Sequence, residues 1–455
     1  MNDHVFFVGI GGSGMNGIAR VMRHLGHPVS GSDRDRDLGN RPAFYQAMEA
    51  MGIRLYPQDG TGLDSEPDRV VISTAVEARI PDIIRAGELQ IPILHRSEAL
   101  HNLIRPYTRI AVAGTSGKST VTGMCGWCLQ QGHFDPLMIN GAVVIGIGPG
   151  STDSDILAGR GSFAVFEADE SDRSLTRFDP DIGILTNITL DHLPLADLRE
   201  IFQSYVRNIR QMLIFNADCD ETRRLVHAAS GRLSFSLREP SDFRGVIENL
   251  SGEHARFTVE NTAITLPLPG RHNIENALAA YTLMRHLGFR PPEIRDMLES
   301  FRGIERRFQR IGTANGITVI DDFAHNPDKI RSTMRILASV KTRCIYVFQP
   351  HGFGPTRFLL DALAEVFATE PRASDQIILT PIFYAGGTVN RDVSSNMLAS
   401  RICERGGHAE VIDRGRLPDH LAASAMPGDT IIVMGARDPS LPGFCRSILT
   451  RIAQS

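Results

Sequence analysis

The sequence predicts an α/β protein built from three domains, and three observations support this prediction. The chain has 455 residues, which suggests two to four domains that each bury a core. Apolar strand-like runs alternate with helical stretches, which is typical of folds with parallel sheets. Two glycine-rich loops, at residues 9–14 and 113–120, each follow a strand and open a helix. One chain therefore carries two loops of the kind that bind phosphate groups.

Three blocks show this alternation, and we expect each to be one domain. The first block, residues 1–106, contains the strand VFFVGI, the helix GIARVMRHLG and later strands in RVVISTA and IPILHR. The second block, residues 107–309, begins with the strand RIAV and ends with the helices NIENALAAYTLMRHLG and PPEIRDMLESF. The third block, residues 310–455, adds the strands ITVIDDF, RCIYVFQP, QIILTPIF and DTIIVMGA.

The composition is that of a globular protein that needs neither a nucleic acid nor a membrane. The net charge is −4, and 22% of the residues are charged, with no basic patch. No apolar run reaches the ~18 residues of a membrane span, and no basic segment precedes the first apolar stretch, so we expect a cytoplasmic protein. The six cysteines are scattered and need no disulfide framework. Lys118, Lys329 and Lys341 are the only lysines, which makes a lysine inside a motif informative.

The loop at residues 9–14, GIGGSG, has the pattern of a dinucleotide-binding turn. Asp33 ends the next strand, 19 residues after Gly14, where an acid can bind a ribose hydroxyl. Any nucleotide diphosphate fits the same geometry, because the helix N-terminus attracts the diphosphate and not the base. The alternative is a glycine turn that only lets the strand and the helix pack closely.

The loop at residues 113–120, AGTSGKST, is a more specific phosphate-binding signal. It ends as GxxGKS and is shorter between its glycines than the usual P-loop. Successive backbone N–H groups can hold phosphates, the Lys118 ammonium can contact the terminal phosphates, and the Ser119 or Thr120 hydroxyl can bind Mg²⁺. The expected nucleotide contacts are Gly114, Thr115, Ser116, Gly117, Lys118, Ser119 and Thr120.

Acidic residues follow two strands beside this loop. The run SFAVFEADES ends with Glu167, Asp169 and Glu170, and the strand of TNITLDH is followed by Asp191 and His192. Carboxylates at the carboxyl end of a strand next to a P-loop commonly hold Mg²⁺. We therefore expect Glu167 and His192 to be metal ligands, the alternative being a solvated acidic turn. The two phosphate sites then serve ATP and a nucleotide-linked substrate.

Six motifs give the chain a family resemblance. AGTSGKST, FEADESD, TNITLDH, PGRHNIENALAA, ERRF and DDFAHNPD occur in this order in the Mur ligases, which the sequence resembles over most of its length. GIGGSGM, GSD, STAV and RSEAL are similar to the subgroup that joins L-alanine to UDP-N-acetylmuramate. The resemblance implies a Rossmann-like N-terminal domain for the UDP-sugar, a central P-loop ATPase domain and a Rossmann-like C-terminal domain for the amino acid.

The resemblance also implies a reaction and the residues that carry it out. ATP would convert a carboxylate into an acyl phosphate, which an amine then attacks, with domain closure excluding water. A monomer or weak homodimer is implied. The implied catalytic residues are Lys118, Glu167, His192, His325 and His351. The implied metal ligands are Ser119, Thr120, Glu167 and His192. Further ATP contacts are implied for His272, Asn273, Asn276, Arg307 and Asp322. Contacts to the UDP-sugar are implied for Gly11, Gly12, Ser13, Gly14, Met15, Ser32, Asp33, Ser73 and Thr74.

The chain departs from the subgroup pattern mainly on the amino-acid side. Phe323 replaces a tyrosine, and Gly352 and Pro355 stand where basic residues are usual. Within the phosphate loop, Ser116 replaces a histidine and Ser119 a threonine. Fewer cations fit a small uncharged acceptor, most simply L-alanine, better than a peptide with several carboxylates. Arg357 remains as a clamp for the single carboxylate of that amino acid.

Three alternatives remain open at this point. One is the related ligase that recycles a tripeptide onto the same sugar nucleotide, which DDFAHNP favours and GIGGSGM disfavours. Another is an NAD(P)-dependent oxidoreductase that uses the first loop, which the P-loop disfavours. The last is a catalytically silent scaffold, suggested by the altered residues after QPH and disfavoured by the intact ATP motifs. Cys125 and Cys128, three residues apart on one helix, are interpreted as packing residues.

Overall fold

A computed structural model describes residues 3–170, 174–189, 194–338, 342–384, 390–436 and 438–455. The chain divides into two compact units. The first unit contains residues 1–248, 256–266 and 271–302, and the second contains residues 249–255, 267–270 and 303–455. Short 3₁₀ helices lie at Thr61–Ser65, Pro149–Ser151, Ser174–Arg177 and Val226–Ala228.

The N-terminal part of the first unit is a five-stranded parallel sheet in the order β3-β2-β1-β4-β5. Its elements are β1 Val5–Val8, α1 Ser13–His24, β2 Val29–Ser32, α2 Arg34–Asp37, α3 Pro42–Ala50, β3 Arg54–Tyr56, β4 Arg69–Ile72, α4 Pro81–Glu88, β5 Ile93–His95 and α5 Arg96–Ile104. The strand order reverses at β1, and ligands of open α/β sheets bind at the carboxyl ends of the strands beside such a reversal.

A second, eight-stranded sheet fills the rest of the first unit, in the order β13-β12-β11-β10-β6-β9-β7-β8. Its elements are β6 Thr108–Ala113, α6 Lys118–Gln131, β7 Leu137–Val144, β8 Ser154–Ala158, β9 Phe163–Glu167, β10 Ile182–Leu185, α7 Leu195–Asn208, β11 Met212–Asn216, α8 Asp220–Leu225, β12 Arg232–Ser236 and β13 Phe243–Arg244. Strand β8 runs antiparallel to β7, whereas β9, β6, β10, β11, β12 and β13 pair in parallel.

A three-stranded sheet and two helices follow before the last sheet begins. They are β14 Val246–Leu250, β15 Ala255–Val259, β16 Thr262–Leu266, α9 Arg271–His286 and α10 Pro291–Glu299. Helix α9 carries a run of buried residues on several of its sides. A helix that is buried all round belongs to the interior of its unit.

The second unit contains a six-stranded sheet in the order β17-β18-β22-β19-β20-β21, in which only the edge pair β17 and β18 is antiparallel among the described pairings. Its elements are β17 Gln309–Ala314, β18 Ile317–Asp322, α11 Pro327–Leu337, β19 Cys344–Phe348, α12 Phe353–Thr369, β20 Gln376–Leu379, α13 Ser395–Glu404, β21 Glu410–Val411, α14 Leu417–Ser424, β22 Thr430–Met434 and α15 Leu441–Ala453.

Alternate residues of the central strands enter two different cores, which explains why these strands read as continuous apolar runs. In β19, Tyr346 and Phe348 pack into one core, and Ile345 and Val347 pack into the other. Strands covered on both faces lack the polar alternation of half-exposed strands. The predicted α/β class with parallel sheets is confirmed. No helix in the described ranges is both long enough and apolar enough to cross a membrane.

Candidate active site

The phosphate loop joins the buried strand β6 to helix α6, and its two glycines are required by their conformations. Gly114 has φ +135° and Gly117 has φ +89°, and residues other than glycine rarely adopt these backbone conformations. A Cβ on Gly114 would overlap the Thr186 hydroxyl, and one on Gly117 would lie 2.6 Å from Asn276 Oδ1. Both positions therefore exclude a side chain for two independent reasons.

The segment that follows β10 braces the phosphate loop, and sequence reasoning missed it. Asn187 accepts from Thr115 N through its carbonyl and from Ser116 N through Oδ1, each at 3.0 Å. The Thr186 hydroxyl donates to Ser116 O at 2.7 Å, and Thr189 N donates to Thr115 Oγ1 at 2.9 Å. The polar residues of TNIT, directly after a strand, were the sequence signal for this contact. Because β10 pairs with β6 in parallel, these residues lie at the sheet edge that carries the phosphate loop.

Lys118 begins helix α6 and makes an ion pair that the sequence did not predict. Its Nζ donates to Gly114 O at 2.8 Å and to the two carboxylate oxygens of Glu170 at 2.8 and 3.1 Å. Glu170 is buried. The lysine is therefore held over its own loop by an acid that comes from the segment after β9.

Glu167 lies where a metal ligand was predicted, at the end of β9 and opposite Val112 of β6. Its Oε1 accepts from Gly141 N at 2.6 Å. Carboxylate and hydroxyl oxygens, here those of Glu167, Ser119 and Thr120, are the donors that Mg²⁺ prefers, so the residues fit this ion. No group of three histidine, cysteine or acidic side chains converges within the described ranges. His192, like Asp191, lies outside the described residues.

The N-terminal turns of helix α9 lie beside the phosphate loop. Asn273 and Asn276 are buried there, and Asn276 Nδ2 donates to Asn273 Oδ1 at 3.4 Å. The close approach of Asn276 to Gly117 fixes the position of these turns against the loop. His272 belongs to the first of these turns. The structure thus places Asn276 against the glycine loop and Asn273 against Asn276.

The N-terminal glycine loop is organised by Asp33. Its Oδ2 accepts from Gly11 N at 2.7 Å, and its Oδ1 caps α2 by accepting from Asp35 N at 2.9 Å. Arg41 Nη1 donates to Gly11 O at 3.2 Å. Burial, together with the neighbouring Asp33 carboxylate, raises the pKa of the Tyr45 hydroxyl. Because Asp33 already accepts a hydrogen bond from the loop backbone, it stabilises the turn independently of any ligand.

The other residues predicted to bind the UDP-sugar differ in their exposure. The Ser32 hydroxyl is buried and donates to Asp82 at 2.5 Å, while Asp82 also accepts from Gly60 N at 2.8 Å. Burial raises the pKa of Asp82, which no sequence motif had marked. Ser73 and Thr74 follow β4 at the same sheet edge as the loop. The remaining predicted residues, Gly12, Ser13, Gly14 and Met15, form the start of α1, where the Met15 side chain is buried.

In the second unit, two adjacent aspartates end strand β18. Asp322 accepts from the Thr333 hydroxyl at 2.5 Å, and burial raises its pKa. Asp321 is buried 3.5 Å from Arg306 Nε, and burial raises its pKa to about 6. The Arg306 and Arg307 guanidinium groups lie 4.9 and 4.8 Å from the Phe323 ring centroid. The predicted ATP contacts Arg307 and Asp322 therefore belong to one packed cluster.

The two histidines predicted near the amino acid are neighbours. The rings of His325 and His351 have centroids 4.7 Å apart, and Nδ1 of His325 lies 2.8 Å from Phe323 O. Burial and, to a lesser extent, the positive charge of Lys329 lower the pKa of His325 to about 3. His325 is therefore neutral at physiological pH and can accept a proton only at acidic pH.

The depressed pKa of His325 predicts an acid-sensitive contribution to stability. Between pH 3 and 6.5 the unfolded chain binds a proton that the folded chain does not, so this contribution is lost as the pH falls through that window. We expect His325→Asn to lose less unfolding free energy than the wild type on going from pH 7.5 to pH 4.5, as measured by urea denaturation. Identical losses for the two proteins would contradict the neutral state of His325.

Arg357, the predicted carboxylate clamp, is engaged within the chain. Its guanidinium donates to Asp392 at 2.8 Å through Nε and to Asn390 O at 2.9 Å. The neighbouring Arg391 guanidinium carbon lies over the Tyr384 ring, 4.0 Å from its centroid. A substrate carboxylate at Arg357 would have to compete with Asp392.

Comparisons with known proteins agree with this architecture. The Mur ligase family catalytic domain matches residues 4–108, the Mur ligase middle domain matches residues 112–284, and the Mur ligase glutamate ligase domain matches residues 306–437. The UDP-N-acetylmuramate–L-alanine ligase of Pelotomaculum thermopropionicum is 35% identical over 451 residues, covering 96% of this chain and 95% of the relative. The enzyme of the same name from Paracoccus denitrificans is 35% identical over 457 residues, covering 95% and 93%.

Solved structures show the same fold. The UDP-N-acetylmuramate-alanine ligase of Thermotoga maritima superposes with a TM-score of 0.81 at 25% identity, covering 99% of both chains. A murein peptide ligase of Psychrobacter arcticus superposes with a TM-score of 0.71 at 23% identity, covering 100% of this chain and 99% of that one.

Fold, site and matches define an ATP-dependent ligase that forms amide bonds. The chain belongs to the Mur ligase family. The resemblance read from the six motifs is thereby confirmed, and an NAD(P)-dependent oxidoreductase is set aside.

Proposed function

We propose that this protein joins L-alanine to the lactyl carboxylate of UDP-N-acetylmuramate, using ATP, in the synthesis of peptidoglycan precursors. One observation carries the proposal. Two phosphate-type loops follow the central strands β1 and β6 of two different sheets, one parallel and one mainly parallel, and only the second loop contains a lysine. This arrangement suits one nucleotide-linked substrate and one ATP. The names of relatives at 35% identity over 95% of the chain support the same substrates.

The reaction follows from the weak electrophilicity of a carboxylate. A lactyl carboxylate oxygen attacks the γ-phosphorus of ATP, ADP leaves, and an acyl phosphate forms. The amine of alanine then attacks the acyl carbon, loses a proton, and inorganic phosphate leaves to give the amide. The Lys118 ammonium stabilises the charge that develops on the phosphoryl oxygens during the first step. The loop N–H groups and the α9 asparagines orient the nucleotide.

We further propose that Mg²⁺ is bound by Glu167, by the Ser119 or Thr120 hydroxyl and by His192. When bound, it neutralises phosphate charge. Residues 1–106 would form the UDP-sugar domain, residues 107–309 the ATP domain and residues 310–455 the amino-acid domain. His325, His351 and Arg357 are the residues of the last domain that we assign to the amino acid. The enzyme would act in the cytoplasm as a monomer or weak homodimer.

Competition between acceptors tests the proposed substrate. The full chain is given UDP-N-acetylmuramate, ATP, Mg²⁺, and equal concentrations of L-alanine and the tripeptide L-alanyl-γ-D-glutamyl-meso-diaminopimelate, and the products are identified by mass spectrometry. We expect the single-residue adduct to predominate, because Gly352 and Pro355 offer no cation to a second carboxylate. Predominance of the tripeptide adduct would replace this proposal with a recycling ligase. Absence of any adduct, with ATP intact, would favour a silent scaffold.

A further inference from the structure

The ammonium of Lys118 has no N–H left for a nucleotide. A lysine ammonium carries three donors, and three acceptors surround it here: Gly114 O at 2.8 Å, Glu170 Oε2 at 2.8 Å and Glu170 Oε1 at 3.1 Å. The two side chains are 15% and 6% exposed, respectively. A terminal phosphate can therefore bind this lysine only if at least one of the three bonds breaks.

The same ion pair places a negative charge beside the phosphate site. Glu170 follows β9 and reaches the lysine at the start of α6, so its carboxylate lies at the sheet edge where the phosphates bind. A buried carboxylate repels a phosphate that approaches the same ammonium, and the low local dielectric strengthens this repulsion. Nucleotide binding thus competes with an interaction that is already made inside the protein.

We propose that Glu170 is a positioning residue that holds Lys118 over the nucleotide-free loop and yields it to the phosphates when nucleotide binds. Because Lys118 exchanges one anionic partner for another, its ammonium does not have to be transferred out of water when the nucleotide binds. After phosphoryl transfer, the return of Lys118 to Glu170 competes with ADP and weakens its binding. This role goes beyond the proposed function, because it concerns how a nucleotide binds to and leaves the loop and does not depend on which acceptor is used.

Nucleotide affinity tests the exchange directly. The wild-type chain and Glu170→Gln are titrated with ADP by calorimetry in the absence of acceptor substrates. The neutral amide removes the competing charge, so we expect Glu170→Gln to bind ADP at least about fivefold more tightly. Glu221→Gln is the matched control, since Glu221 is 13% exposed and paired with Arg199 at 2.6 Å. Its ADP affinity should equal that of the wild type.

Chemical labelling of Lys118 gives a second readout that a purely structural role would not change. The chain has only three lysines, so acetylation at each can be followed separately by mass spectrometry, with Lys329 and Lys341 as internal references. Glu170→Gln removes the ion pair that engages Nζ, so the less restrained Lys118 amine should be acetylated several-fold faster than in nucleotide-free wild type. ADP should restore protection.

Unchanged or weaker ADP binding by folded Glu170→Gln would overturn the proposal, because Glu170 would then support the nucleotide-bound state. If that variant does not fold, Glu170→Asp replaces it. The shorter carboxylate cannot keep both oxygens on Nζ, so Lys118 should again be acetylated faster, and an unchanged rate would contradict the proposal. Failure of the ligase assay would leave these ADP measurements unaffected, so the two proposals fail separately.

Discussion

Lys118→Ala is expected to lower ATP-dependent ligation by at least about 100-fold, which corresponds to ~2.7 kcal/mol of transition-state stabilisation. The ammonium lies at the phosphate loop, and the other two lysines, Lys329 and Lys341, are far along the sequence. Phosphate release with UDP-N-acetylmuramate, L-alanine and Mg²⁺ measures the loss. Circular dichroism should show an unchanged fold.

Arg295→Ala serves as the control for removal of a positive charge, because its guanidinium is on the surface and pairs with the adjacent Asp296 at 2.8 Å. Its activity should match the wild type. Turnover of Lys118→Ala within about threefold of wild type, or ~0.65 kcal/mol, would show that the loop does not serve the transferred phosphoryl group.

Gly114→Ala is expected to abolish nucleotide binding and to lower the free energy of unfolding by about 2–4 kcal/mol. The new Cβ would overlap the Thr186 hydroxyl and lie 3.0 Å from Asn187 N, and alanine would be strained at φ +135°. The loop would have to move away from the segment that braces it. Calorimetry with ADP and urea denaturation measure the two effects.

Gly288→Ala separates backbone strain from steric overlap. Gly288 has φ +93°, and nothing lies within 4 Å of an added Cβ. It should therefore lose only about 1–2 kcal/mol, from the left-handed conformation alone, and should bind ADP normally. Equal losses for the two variants would contradict the role assigned to Thr186 and Asn187.

The features that could be predicted from the sequence were those formed by residues that are adjacent in the sequence. A strand, a glycine turn and a helix start are contiguous in residues 108–131, so the phosphate loop could be recognised without knowing the rest of the chain. Continuous apolar runs such as RCIYVFQP similarly predicted strands, and the structure buries this one on both faces. The antiparallel edge strand β8 was not predicted, because its orientation is set by pairing with β7 rather than by its own residues.

The partners of the site residues could not be predicted, because tertiary structure alone brings them together. Glu170 is 52 residues from Lys118, and Asp82 is 50 residues from Ser32. In both cases an acid near the end of one element meets a polar group from another, and the local pattern of each acid is that of an ordinary turn or helix start. The parallel pairing of β6 with β9 brings the segment that carries Glu170 to the sheet edge where Lys118 begins its helix.

The fate of a carboxylate oxygen tests most directly whether ATP activates the UDP-sugar. UDP-N-acetylmuramate labelled with ¹⁸O at both lactyl carboxylate oxygens is converted with L-alanine and ATP, and the released phosphate is analysed by mass spectrometry. An acyl phosphate transfers its bridging oxygen to the departing phosphate, so each phosphate should carry one ¹⁸O and the amide should retain the other. Phosphate released without ¹⁸O, or released equally well without the UDP-sugar, would contradict the account.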